Sequence, residues 1–359
     1  MKISERLLAW YATNARELPW RSDPQPYKVW ISEIMLQQTQ VDTVIPYFNR
    51  WLTAFPGIEA LAEGSEQDIL AVWEGLGYYS RARNIKKCAD ILMSQFKGKI
   101  PSDPVLLQKL PGIGHYTAGA IASIAFNQEA IALDGNIKRV YARLMDLALL
   151  VDSRDGKKAL TDFAWVQLPA GNAGEFNQAL MDLGATVCVP ANPKCHICPL
   201  SECCQSFFNN TQQERPIKKI RQKIPHYTVT AAVIVRNGML LIAKRPVDGL
   251  LGGLWEFPGG KLQPEDVDLQ ACLKREIREE LGAQIIVGKP YGVYKHAYTH
   301  FKITLHAFLC SLSDGSHPEA IQPEQVLWVH PDSLGEFPMG KVDRQIASRI
   351  KELGFEPAR

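Results

Sequence analysis

The chain has 359 residues, with 40 Lys and Arg against 38 Asp and Glu, and a formal net charge of only +2. That length accommodates two or three domains, and 46% hydrophobic with 22% charged residues excludes a disordered or fibrous chain. No uninterrupted apolar run approaches the ~18 residues of a membrane helix, so no membrane partner is expected, and the strong basic excess that marks many nucleic-acid binders is missing.

The opening MKISERLLAWYATNAR mixes charges with apolar residues at helical spacing, and reads as an amphipathic helix instead of a secretory signal. Helical periodicity continues to about Phe208. Trp30, Ile34, Val41 and Ile45 space as one buried stripe, and Ile69, Val72, Trp73 and Leu76 as another. Residues 209–225, with two prolines and five basic residues, read as a basic linker. Beyond it the pattern turns β-like. Val229 to Val235 is a mostly apolar run, Arg236-Asn237-Gly238 signals a hairpin, and MLLIAKR follows. DLQACLKREIREELG predicts a helix ending at a glycine, and YGVYKHAYTHFKITLHAFLCSL predicts two strands around a polar turn. VLWVHP adds a strand and VDRQIASRIKELG a closing helix. The expected architecture is an all-α module over 1–208, the linker, and an α+β domain over 226–359.

Five of the eight cysteines fall between Cys188 and Cys204. A secreted disulfide scaffold would be shorter and more evenly stapled, so the cluster points to a metal site in a reducing compartment. Cys188, Cys195, Cys198 and Cys204 stand at C-x6-C-x2-C-x5-C, with Cys203 as a spare thiol. Four thiolates at such spacing suit one tetrahedral ion or an iron–sulfur cube, and spacing leaves zinc and iron both open.

Three further features carry chemistry. Leu110-Pro111-Gly112-Ile113-Gly114 leads into an apolar helical segment, where glycines let backbone N–H groups approach a phosphate; a ligand-free tight turn between helices explains the same residues. Glu33 lies among Ile31, Ile34 and Leu36, where desolvation would keep a carboxyl protonated for general acid work, although the same residue suits a solvent-facing position. Asp134 precedes a helical pattern, as a helix N-cap does. In the last third, Glu276, Glu279 and Glu280 share a helix face that suits Mg²⁺, or a solvated charged surface.

The cysteine spacing resembles the loop that ligates a [4Fe–4S] cluster in the endonuclease III family, and LPGIGHYTAGAI resembles that family's helix-hairpin-helix. SEIMLQQTQVDTVIPYF, WEGLGYYSRARN, LDGNIKRVYAR and FNQALMDLGATVC narrow the resemblance to the MutY family of adenine DNA glycosylases, in order along essentially the whole chain. GGLWEFPGGKL with REIREELGA resembles a Nudix box, with one residue too many before Arg275, Asp266 in place of a glutamate, and a weak end at Ala283.

The resemblance implies a helix-hairpin-helix glycosylase with a cluster loop and a Nudix-like domain. In the helical module a six-helix lobe would span about 22–122, and a cluster lobe would join the N-terminal helix to 123–208. Glu33 would protonate the adenine ring nitrogen and Asp134 would stabilise the cationic sugar, with Tyr116 and Asn136 assisting. Tyr116 stands where strand-cutting relatives carry a lysine, which implies base removal by water. Trp20 and Arg21 would border the adenine pocket; Gln38, Thr39, Leu76 and Tyr78 would touch the lesion and its opposite strand, unless Leu76, Tyr78 and Tyr79 are core. Leu110, Gly112 and Gly114 would grip the DNA backbone. Tyr298-Thr299-His300 stands where the family has Phe-Ser-His against 8-oxoguanine. The implied partner is double-stranded DNA with adenine opposite 8-oxoguanine or guanine, bound by a bacterial, cytoplasmic monomer. Nucleotide pyrophosphohydrolysis through the three glutamates is the alternative.

Overall fold

The computed structural model describes residues 2–217 and 224–355, which group into two compact units: 1–64 with 84–221, and 65–83 with 222–359. The first unit holds α1 (Ile3–Asn14), α2 (Pro26–Leu36), α3 (Val41–Ala54) and α4 (Ile58–Glu63). After α5 (Glu66–Trp73), which groups with the second unit, come α6 (Ser80–Phe96), α7 (Pro104–Leu107), α8 (His115–Phe126) and α9 (Gly135–Leu144). The unit ends with α10 (Arg154–Gln167), α11 (Ala173–Thr186) and α12 (Gln205–Phe208).

The stripe expected through Trp30, Ile34, Val41 and Ile45 is broken. Trp30 and Ile34 are buried in α2, but the chain turns at Gln38, whose φ is 58°. The turn rephases the next helix, so α3 buries Val44, Phe48 and Trp51 instead of Val41 and Ile45. Leu7 of α1 packs in one core with Val140, Tyr141, Phe176, Leu180, Leu183 and Leu200, against which Cys188, Cys198 and Cys204 also pack. Two glycines permit close approaches that set the geometry around Asp134. A Cβ on Gly119 of α8 would lie 1.9 Å from the Ile131 carbonyl oxygen, and one on Gly184 of α11 would lie 2.7 Å from the Asn136 Cβ.

The second unit contains β1 (His226–Arg236), β2 (Met239–Lys244), β3 (Trp255–Glu256), α13 (Leu269–Leu281), β4 (Ile285–Ala297), β5 (Lys302–Leu312), β6 (Gln325–Val329) and α14 (Lys341–Leu353). The sheet runs β3-β2-β1-β5-β4, with β6 also on β2; β1 pairs β5 in parallel and the other pairs are antiparallel. Alternation along β1 splits the core between two faces. Ala231 and Val233 meet Val342, Ile346 and Ile350 of α14, while Ala232 and Ile234 meet Leu273, Ile277 and Leu281 of α13. The expected hairpin forms at Asn237 and Gly238, both at positive φ, and Gly282 ends α13 at φ 62°.

Residues 65–83 group with the sheet unit, in which the Glu74 carboxylate pairs with Arg344 and Gln67 bonds both the Gly253 carbonyl and the Trp255 indole. The first half of the expected linker is tied down: Asp146 accepts bonds from Asn209 and Thr211 and pairs with Arg215 at 2.8 Å, and Ile217 bridges Leu150. Residues 218–223 of that linker lie outside the described residues. Among the described residues no helix is long and apolar enough to cross a membrane.

The Gly119 contact is with backbone, which has no rotamer to change. Gly119→Ala is therefore expected to lower the free energy of unfolding by about 1–3 kcal/mol, read by denaturant titration.

Candidate active site

A cavity of about 750 Å³ opens in the first unit, lined by Trp20, Arg21, Glu33, Gln38, Thr39, Tyr116, Asp134 and Asn136 among others. Eight residues singled out from four separated stretches thus line one cavity. Proline at the first position of α2 starts that helix, and its buried face carries Glu33 inward, 4% exposed. Burial raises the Glu33 carboxyl to about 7, with the Asp134 charge pushing the same way; a hydrogen bond from the Tyr116 hydroxyl and the charge of Arg21 oppose it. Burial, the Glu33 and Asp134 charges and the bond to Glu33 hold the Tyr116 phenol far above its usual range.

Asp134 is both an N-cap and a cavity residue. Its Oδ1 accepts the Ile137 N–H at 2.6 Å, which fixes the carboxylate at the start of α9. Burial raises its pKa, while bonds from Ile137 and Asn136 and the Arg139 charge favour the ionised form. Asn136 also accepts from Arg139 at 2.9 Å. The cavity therefore holds two desolvated carboxyl groups in unequal surroundings, Glu33 with the Tyr116 hydroxyl as donor and Asp134 with donors from Ile137 and Asn136 and the charge of Arg139. Lys138 pairs with Asp152 at 3.1 Å and does not line the cavity.

The hairpin residues lie outside it. Leu110 is buried, Gly112 has φ 78° with Asn84 packed where a Cβ would go, and Gly114 caps α8 with no side-chain cap hydrogen bond. That end suits a phosphate.

In the second unit, Tyr298, Thr299 and His300 form the turn between β4 and β5. Tyr298 lies 4.7 Å from the Phe301 ring, His300 is exposed, and the Thr299 hydroxyl hydrogen-bonds the Tyr78 hydroxyl. These residues and Leu76 line a second cavity of about 440 Å³, where Tyr78 is 39% exposed and Leu76 is buried. Leu76 therefore joins Tyr79 as a core side chain, and Tyr78 is the exposed one, with Arg81 over its ring at 5.4 Å.

Cys188, Cys195, Cys198 and Cys204 line one small cavity, and Cys203 does not. Arg143 reaches the Cys188 sulfur at 3.3 Å. Among the described residues, no three Asp, Glu, His or Cys side chains stand together as the donors of a single metal ion. For the expected Mg²⁺ the reason is local: Arg275 takes Glu276 at 2.9 Å, Glu279 at 3.1 Å and Asp266 at 2.8 Å, and Glu280 accepts the Gly259 N–H. Asp266 thus pairs with Arg275 despite the extra residue in the box, and Mg²⁺ finds no support.

Arg16, Gln178, Met181 and Asp182 were not legible as site residues. The first three line the main cavity, and Asp182 binds Arg16 and Arg21 across more than 160 positions of sequence. Helical spacing in FNQALMDLG marks Gln178 and Asp182 as one face, but no local signal joins that face to Arg16.

A profile for the HhH-GPD superfamily of base excision DNA repair proteins matches residues 31–160, and one for the NUDIX domain matches 199–349. The chain is 33% identical to the adenine DNA glycosylase of Mus musculus over 90% of its own length and 73% of that protein's. It is 36% identical to the adenine DNA glycosylase of Buchnera aphidicola subsp. Schizaphis graminum over 87% of its length and 88% of the relative's. The solved structure of a thermostable thymine-DNA glycosylase aligns with 57% of this chain and 95% of that one, at a TM-score of 0.54 and 28% identity. With its two carboxyl groups in one cavity and these likenesses along most of its length, the chain is a DNA-binding DNA glycosylase that belongs to the adenine DNA glycosylase family.

Proposed function

We propose that this protein removes adenine opposite 8-oxoguanine, and less efficiently opposite guanine, from double-stranded DNA by hydrolysis of the N-glycosidic bond. The observation that carries this reading is the Glu33 carboxyl, buried and raised to about 7 in the cavity that also holds Asp134. A flipped adenine enters that cavity. Glu33 gives its proton to a ring nitrogen, the bond from C1′ to the base breaks, and its electron pair leaves with adenine. The Asp134 carboxylate faces the cationic sugar, water adds to C1′, and its proton returns to Glu33. Asn136 orients Asp134, and Tyr116 orients Glu33. Because position 116 holds a phenol, no amine attacks the sugar and the strand stays uncut.

Tyr78, Thr299 and His300 are the side chains proposed to meet the opposite lesion, and the Gly112–Gly114 turn a backbone phosphate. The protein is proposed to act as a cytoplasmic monomer. Cys188, Cys195, Cys198 and Cys204 are proposed to hold a [4Fe–4S] cluster, supported by their shared cavity and by the exclusion of Cys203 from it. That group would cross-link the loop and supply a redox-active centre.

Three outcomes test this reading. Single-turnover assays on duplexes with adenine opposite 8-oxoguanine, guanine and cytosine should give excision fastest with 8-oxoguanine, and Glu33→Gln should lose at least about 100-fold, the lower end of general acid contributions; intact adenine in every duplex contradicts it. Purified protein should carry about four iron and four sulfide per chain, and Cys198→Ser should lose them. The third is thermodynamic. A carboxyl raised by folding stabilises fully below its unfolded pKa, and that contribution disappears as pH climbs through the folded value. Relative to wild type, Glu33→Gln should therefore gain stability between pH 4.5 and about 7, by up to roughly 3 kcal/mol on the plateau above. Thermal unfolding at pH 5 and pH 8 reads the difference.

A further inference from the structure

One wall of the main cavity is built from residues 16–21 and the opposite turn of α11, and a single buried carboxylate joins them. Asp182 has no exposed side-chain surface. It accepts the Arg16 backbone N–H at 3.1 Å and its Nε at 2.6 Å, and it takes Arg21 in a two-point grip, Nη1 at 2.7 Å and Nη2 at 3.0 Å. Arg21 returns to the Arg16 carbonyl at 3.2 Å and stacks over the Tyr11 ring, 5.7 Å from its centroid. Two guanidinium groups on one carboxylate leave a net positive charge on the wall. Both arginines line the cavity, and so do Leu18 and Trp20 between them and Gln178, Met181 and Ala185 around Asp182.

We propose that Asp182 is the positioning residue of the base pocket: it locks Arg16 and Arg21 onto the wall facing Glu33 and neutralises half of their charge, so that Glu33 stays protonated when adenine arrives. This deepens the glycosylase reading and rests on it. The groups that act on Glu33 are Tyr116 from α8, Asp134 ahead of α9, and Arg21 from the N-terminal segment; Arg16 and Asp42 also line the cavity. Tyr116 and Arg21 favour the ionised Glu33, and Asp134 opposes them. Removing the Asp182 charge leaves Arg21 without its carboxylate partner, which strengthens the field that ionises Glu33. Burial pushes the Asp182 carboxyl up, but its bonds from Arg21 and Arg16 outweigh that and keep it charged, so the wall holds this arrangement through neutral pH.

The test compares wild type, Asp182→Asn, Asp182→Glu and Arg21→Gln. Single-turnover adenine excision is followed from pH 5 to 9, together with DNA affinity and thermal unfolding. Asp182→Asn should move the alkaline limb of the rate profile down by about one pH unit, with DNA affinity held within about twofold. Arg21→Gln should move the limb up, and Asp182→Glu should restore it toward wild type. Limbs that coincide in all four proteins, with rate losses that only follow the melting temperature, overturn the proposal. Infrared titration of the Glu33 carboxyl without DNA reads the same displacements. A wild type that leaves adenine intact therefore defeats the substrate reading and still leaves Asp182 tested. If Asp182→Asn does not fold, the upward displacement in Arg21→Gln decides the matter.

Discussion

Burying a carboxyl group among Ile31, Ile34 and Met35 is the constraint from which the site follows. An ionised group in such surroundings costs several kcal/mol unless it is paired or solvated by dipoles. At Glu33 the cost is met by protonation, and a protonated carboxyl near neutral pH is a proton donor. Asp134 faces the same cavity but sits on a helix N-terminus with Ile137 and Asn136 donating to it. Burial raises both carboxyls, but Asp134 is opposed by more hydrogen-bond donors and by the Arg139 charge, so the two side chains of one chemical type sit in unequal surroundings.

The fold serves that contrast. Gly119 lets the segment before Asp134 pass within contact of α8, the helix that brings Tyr116 to Glu33. Gly184 lets α11 close on Asn136, and Asp182 on the same helix binds the N-terminal arginines. The cavity wall therefore draws on segments spread over most of the first unit. A substitution at a glycine with no polar atom of its own reaches the chemistry through backbone position.

Much of this was legible in the sequence where one local pattern carries one structural meaning. The Asn237-Gly238 hairpin, the α13 stop at Gly282 and the N-cap at Asp134 each follow from short-range backbone rules. Where meaning depends on partners far along the chain, it was not. Val41 and Ile45 kept helical spacing with Trp30, yet the turn at Gln38 rephased α3, because periodicity carries no record of a reversal between helices. Arg275 has the spacing of a metal-binding box around it, but its bonds to Glu276, Glu279 and Asp266 are visible only in space. Residues 209–217 have the composition of a linker and are nevertheless held by Asp146. Asp182 shared a helix face with Gln178 in the sequence, but its ion pair across 166 positions leaves no local signature.

The overall charge of +2 averages over this arrangement. Glu33 and Asp182 are buried and Asp134 lines the cavity, while backbone N–H groups at the Gly112–Gly114 turn need no lysine to meet a phosphate. The central claim is the protonation state of Glu33 in the folded, DNA-free protein. A carbon NMR titration of the side-chain carboxyls, with the Glu33 signal assigned by its loss in Glu33→Gln, measures it directly. A midpoint near 7 is predicted; a midpoint in the ordinary glutamate range near 4.5 would contradict the account.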